Sequence, residues 1–340
     1  MTTRARDSLV GPWHRIVAIT APAGADSPES DFVAVLPAVL SAAESGRAFG
    51  VGWLSRGAGA PLELITNAGA LPGAAPEPGA GESPGLLFPG GARGVAIGDD
   101  WRGELDRMVW TSCPGRQAPP LAEPGRPDRG EQDRRPTLFE STLVTLMGRR
   151  FGWLVIAEPT ELIDAEIAEL RTQLNVLRRY DEERSRFDVD RAQRRMSELD
   201  AFREAGLWSV RVLAGAATAE ELRLIAPVLA GSVDLSRHPY RLRGGLEPHR
   251  LAGALTVRAQ DAADGAATPF PATAGVLAPL AGLPRREVPG LRVLDPGYFD
   301  VTSETEGRDS PGSASPLIEV ARSSTPRTAP LVPSGCHCPR

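Results

Sequence analysis

Phe151 to Pro159 reads FGWLVIAEP. No charge interrupts it before Glu158, and so continuous an apolar run leaves no side for water, which predicts a strand covered on both faces. Pro159 and a helix-capping threonine, Thr160, end it. Glu161 to Glu204 then runs without Gly or Pro, the longest regular segment in the chain. Its apolar positions Ile163, Ile167, Leu170, Leu174 and Leu177 step by 4, 3, 4 and 3, the spacing of a coiled-coil seam. As one helix this segment would span about 66 Å at 1.5 Å per residue, wider than a small domain. The stripe loses register across Asp181 to Asp188 and resumes at Ala192, Met196, Leu199 and Phe202, so the segment is expected to fold back as a helical hairpin whose stripes bury each other.

Gly206 closes that arm, and Leu207 to Leu213 (LWSVRVL) returns as a strand. Thr218 and Glu221 stand three apart, as in a capping box, ahead of a helix to Gly231 bent at Pro227; Pro239 to Arg243 adds a strand. With a short helix over 138–147, residues 137–245 read as strand, helical arm, strand, helix, strand, an α/β lobe of ferredoxin-like type.

A first lobe is expected over 10–112. Trp13 to Thr20 (WHRIVAIT) is rich in β-branched and apolar residues and reads as a strand, Asp31 to Gly46 as a helix in which Pro37 either sits in the first turns or makes a kink. Phe49 to Ser55 and Leu62 to Thr66 flank Arg56-Gly57-Ala58-Gly59 as a hairpin, and Leu105 to Thr111 returns as a strand. The Gly/Ala/Pro-rich stretch 67–98 reads as a mobile insertion, 113–136 as a proline-studded linker. Beyond Gly244 an irregular extension over 246–300 holds a strand near Leu251 to Val257, a helix near Thr273 to Ala281 and a further short segment at Leu291 to Leu294; 301–340 reads as a disordered tail. The fold class is therefore α/β (α+β), with two ferredoxin-like sandwich lobes, the second bearing the hairpin arm.

Composition excludes several chemistries. All 38 basic residues are arginine, so no Walker lysine and no Schiff-base lysine can be drawn from this sequence. The 36 Gly and 32 Pro reflect in part a GC-rich coding bias. A formal charge of -5 gives no general pull toward phosphate backbones, and no direct nucleic-acid contact is expected. The three cysteines, Cys113, Cys336 and Cys338, define no disulfide framework, and no signal peptide or membrane span is read, so a cytoplasmic location is expected.

The motifs that resemble active sites fail on mechanism. Gly81-Glu82-Ser83-Pro84-Gly85 has the spacing of a nucleophile elbow, but the residue after the serine must donate its backbone N–H to the oxyanion, and Pro84 has none. Gly90-Gly91-Ala92-Arg93-Gly94 lacks the strand that a dinucleotide-binding turn requires before it and reads as a plain turn. Asp99-Asp100 and Asp181-Glu182-Glu183 read as solvated carboxylates. Cys336-His337-Cys338 offers three soft ligands where structural zinc takes four. The arm's nine arginines against twelve acids, with Glu182–Arg186 and Asp190–Arg194 at helical spacing, describe a solvated helical face. Trp53, Trp110, Trp153 and Trp208 lie in or beside strands, where core packing is the default. No catalytic residue, metal ligand or cofactor is expected.

The series FGWLVIAEP, the charged arm, GLWSVRVLAG (Gly206 to Gly215), the capped helix after Thr218 and HPYRLRG (His238 to Gly244) resembles the N-terminal, pre-motor region of actinobacterial ATP-binding proteins of the HerA-FtsK superfamily, relatives of type IV secretion ATPases. PFPATAGVLAPLAGLPRREVPGLRV (Pro269 to Val293) and FDVT (Phe299 to Thr302) resemble the passage ahead of the motor in that family. The family's Walker A motor has no counterpart here; Leu317 to Pro333 echoes at most the strands that lead to it. The resemblance implies a non-catalytic assembly or interaction module. Its partner would be a second copy or a motor-domain protein, met through the seam Ile163, Ile167, Leu170, Leu174 and Leu177 where that seam serves as a partner-helix surface instead of packing within the hairpin. The alternatives are an enzyme with a dispersed carboxylate and arginine site, or a frameshifted fragment of an ATPase gene without independent function.

Overall fold

The computed structural model describes residues 12–20, 48–69, 86, 92–98, 100–118, 136–160, 163–179, 183–203, 207–236, 238, 240–261, 265–284 and 286–294. The expected helix at 31–46, Gly81 to Gly85, Asp181-Glu182, Cys336 to Cys338 and the tail 301–340 lie outside them.

In chain order the elements are β1 (Trp13–Thr20), β2 (Phe49–Arg56), β3 (Leu62–Thr66), β4 (Arg93–Ile97), α1 (Asp100–Asp106), β5 (Val109–Ser112), β6 (Gly115–Gln117), α2 (Leu138–Thr145), β7 (Arg150–Thr160), α3 (Ile163–Leu177), α4 (Glu183–Ala201), β8 (Leu207–Ala216), α5 (Ala219–Ser232), β9 (Tyr240–Leu242), α6 (Leu251–Thr256), β10 (Ala259–Asp261), β11 (Ala266–Thr268), β12 (Phe270–Thr273), α7 (Ala274–Ala281) and β13 (Arg292–Leu294). The protein is mixed α+β.

Nine strands share one sheet, in the order β12-β8-β7-β2-β3-β1-β13, with β4 on β1 and β5 on β8; β10, β11, β6 and β9 form a second sheet. Every pairing is antiparallel except that of β13 with β1. Strands expected in the two ferredoxin-like lobes meet at one point. β2, from the first, pairs with β7, from the second, along its whole length from Phe49↔Ala157 to Arg56↔Arg150. The strands of both therefore belong to one sheet, and β9 lies in the other.

β7 is covered on both faces, as its apolar run predicts. Phe151, Trp153, Val155 and Ala157 enter a core built with α2, α5 and α7, whereas Leu154 and Ile156 enter a second core with Trp101 and Leu105 of α1 and Leu251, Ala254 and Leu255 of α6. This is the period-two alternation of a strand carrying apolar side chains on both sides.

Four local readings change. Arg93–Ile97, at the end of the expected insertion, is strand β4, paired to β1 from Trp13↔Ile97 onward. Leu105 belongs to α1, and the following strand starts at Val109. Gly115–Gln117, expected as linker, is strand β6. Leu251–Thr256 is a helix instead of a strand, because its buried residues Leu251, Ala254 and Leu255 recur at three and four. The extension over 246–300 thus carries two helices and several strands.

α7 is held from the sheet side. The indole N–H of Trp153 donates to Leu280 O at 2.9 Å and that of Trp53 to Gly282 O at 3.2 Å, so two strand tryptophans satisfy carbonyls that the end of the helix leaves open. Gly282 ends it at φ 62, a left-handed conformation that favours glycine, with the Phe139 ring packed where a side chain would stand.

Candidate functional site

α3 and α4 pack on each other, with contacts in opposite chain order: Asp164 pairs with Arg203 and Glu166 with Arg195, while Val176 and Leu177 face Asp188 and Arg191 across a groove. The seam residues are divided along α3. Ile167 is buried with Leu199 and Leu207, and Ile163 and Leu170 pack against that cluster. Leu174 is buried, whereas Leu170 and Leu177 line the groove beside the half-exposed Val176. The second stripe contributes Ala192 to the groove wall and Leu199 to the cluster. Asp190–Arg194 forms its expected ion pair at 2.7 Å.

Beneath the groove lies a buried arginine that residue spacing did not single out. Arg195 is 1% exposed; its Nε donates to Glu166 Oε1 at 2.7 Å and its Nη1 to Glu198 Oε2 at 2.8 Å. Its guanidinium carbon sits 5.4 Å from the centre of the Tyr240 ring. Thr273 Oγ1 donates to Glu198 Oε1 at 2.6 Å, and Tyr240 OH donates to Pro271 O at 2.7 Å. Gln117 shares a hydrogen bond with Tyr240 and reaches the groove. The guanidinium thereby ties α4 to α3 and β9, and Glu198 carries the tie on to β12.

Burial by itself would lower the pKa of Arg195, but Tyr240, Glu198 and Glu166 together outweigh it and hold the guanidinium above its ordinary value. Burial pushes the Tyr240 phenol up, against the pull of Arg195. The Arg195 guanidinium therefore stays charged, and the Tyr240 phenol neutral, throughout the neutral range. The groove above it has a volume of about 390 Å³ and mixes Leu170, Val176, Leu177 and Ala192 with Gln117, Thr172, Gln173, Asp188, Arg191 and Arg195.

Elsewhere the polar groups are used structurally. Trp53, Trp110, Trp153 and Trp208 are all buried, as expected. Thr137 and Glu140 form a full capping box at α2, with Thr137 Oγ1 accepting from Glu140 N and the Glu140 carboxylate accepting from Thr137 N. Thr218 accepts from Glu221 N at α5, while the Glu221 carboxylate turns to Arg149 at 3.7 Å. On β3, Glu63 accepts from Arg15 and Arg56. Arg211 on β8 donates to Val257 O at 2.7 Å; burial lowers its pKa, Glu158 raises it and Arg258 lowers it further. No group of three metal-binding side chains occurs among the described residues, and no described helix is long and apolar enough to cross a membrane.

Cys113 is completely buried, and burial raises its thiol to about 12 although Gly245 and Ala214 hydrogen bonds act the other way. The thiolate is the reactive form, so iodoacetamide at about pH 8 should leave Cys113 unlabelled in the folded chain and label it in urea, as read by peptide mass mapping. The raised pKa also has a stability consequence. The folded thiol keeps its proton where the unfolded one loses it, so this contribution is complete below the ordinary value of 9.0 and is lost as pH climbs toward about 12. Tyr240, also shifted up, acts in the same direction. The urea midpoint should therefore fall on going from about pH 8 to about pH 10.5, and an unchanged or higher midpoint would contradict the burial of these groups.

No known family, no curated protein and no solved structure matches this chain.

Proposed function

We propose that the chain is a non-catalytic assembly module, akin to the N-terminal region of a HerA-type ATP-binding translocation or secretion ATPase, that docks a partner polypeptide through α3 and α4. On this reading the two halves of the sheet correspond to ferredoxin-like lobes, α3 and α4 are the hairpin arm, and the protein works in the cytoplasm. The observation that supports it is the division of the seam. Ile163 and Ile167 pack inward with Leu199 and Leu207, whereas Leu170 and Leu177 line an open groove beside Val176. Apolar side chains that a fold leaves grouped at a concave surface are a common mark of an interaction site.

The carboxylate and arginine clasp is the arrangement that an enzyme reading would draw on. Both oxygens of Glu198 are already taken, one by Arg195 and one by Thr273, which fits a structural tie better than proton transfer.

Sedimentation velocity tests the proposal, on the chain alone and mixed with a HerA-type motor domain. Association is expected in one of the two. Val176→Asp, at a position 49% exposed, should weaken it at least tenfold while shifting the melting temperature by no more than a few degrees. Monomers in both samples would refute the docking role.

A further inference from the structure

We infer that the groove between α3 and α4 receives a peptide carbonyl from the partner, with the neighbouring aliphatic side chain, and that the carbonyl accepts a hydrogen bond from Arg195 Nη2. This rests on the docking reading above and names what is docked. Arg195 lines the groove, its Nε and Nη1 are engaged by Glu166 and Glu198, and its Nη2 is buried with no hydrogen-bond partner. Buried donors in native proteins have acceptors, and an orphan on a side chain that lines a groove points to one supplied from outside.

The surroundings select its chemistry. Two carboxylates already face the guanidinium, and a third beside them would be repelled, so the incoming acceptor is a neutral carbonyl. Leu170, Val176, Leu177 and Ala192 supply apolar wall for an aliphatic side chain. Gln173 spends its amide nitrogen on Glu169 at 3.1 Å, which leaves its carbonyl oxygen to accept a peptide N–H. At about 390 Å³ the space suits one or two residues of an extended segment and is too small for a helix.

The test is an NMR titration of the full chain with N-acetyl-leucine N-methylamide and, separately, with N-acetyl-leucinate. The neutral amide should give saturable shifts of the Arg195 Nε–H and Gln173 side-chain signals, and should bind at least about tenfold more tightly than the carboxylate. Ala192→Phe, which fills the groove, should abolish those shifts. Gln173→Trp, placed at the exposed rim and read through the Arg195 Nε–H alone, serves the same purpose if the buried substitution disturbs folding. Equal or tighter binding of the carboxylate, no saturation, or shifts that persist in the filled variants would overturn the inference; absence of saturation would mean that water alone satisfies Nη2. The two readings fail separately. A partner complex that survives groove filling removes this inference and leaves docking in place, whereas a binding probe without any complex removes docking and leaves the groove.

Discussion

Arg195→Met should lower the unfolding free energy by about 3–5 kcal/mol, measured by urea denaturation at neutral pH. The guanidinium is 2% exposed at the side chain and lies between Glu166 and Glu198, the latter 9% exposed. Methionine approximates its volume but leaves two close carboxylates without a counter-charge, and an unpaired buried charge costs far more than an intact pair contributes. Adding Glu198→Gln should recover part of the loss, because it removes one of the two stranded charges while still accepting from Thr273. The Tyr240 face and the tie to β12 through Thr273 give the effect a global character, so the transition should remain a single cooperative one. A loss under about 1 kcal/mol would place the clasp among ordinary surface ion pairs.

Gly215→Val should be of similar severity, at about 3 kcal/mol or more. Trp110 pairs with Gly215, Gly215 with Gly152, and Gly152 with Leu54, so one row across four strands presents two glycines side by side. The Trp110 indole lies across both, its Nε1 donating to Leu105 O at 2.8 Å. A Cβ on Gly215 would sit 2.9 Å from three ring atoms, and one on Gly152 would collide with the ring's far edge. Trp110→Ala opens that slot at a cost of about 3–5 kcal/mol. Gly215→Ala placed in the Trp110→Ala background should then cost less than about 1 kcal/mol, since the added methyl enters vacated space. If the two substitutions proved additive, the indole could not be what reserves the slot.

The course of β7 and the helix α3 were legible because each carries its own period. Phe151 to Ala157 announces two buried faces, and Ile163 to Leu177 a helical stripe, without reference to distant residues. The signal for α6 was present in the three-and-four spacing of Leu251, Ala254 and Leu255, but the apolar, β-branched end of LAGALTV concealed it. Trp101, Leu105 and Met108 carry the same helical spacing and pack together in the second core. The capping box at Thr137 and Glu140 was likewise open to inspection.

Other features had no local signature. The pairing of β2 with β7 joins residues about a hundred positions apart, and one chain cannot specify that through periodicity. The clasp was half visible, since Arg195 and Glu198 stand at helical spacing, but Tyr240, Pro271 and Thr273 reach it only through the fold. The groove arises from the meeting of α3, α4 and Gln117, so only its α3 wall could be read from the seam.

On the proposed docking role, this polypeptide acts by contact and performs no nucleotide chemistry of its own. Titration calorimetry of Mg-ATP into the purified chain, followed by phosphate release, tests it most directly. The account predicts no saturable heat and no release above a blank, because no lysine exists to grip a terminal phosphate. Tight, stoichiometric Mg-ATP binding with turnover would contradict it.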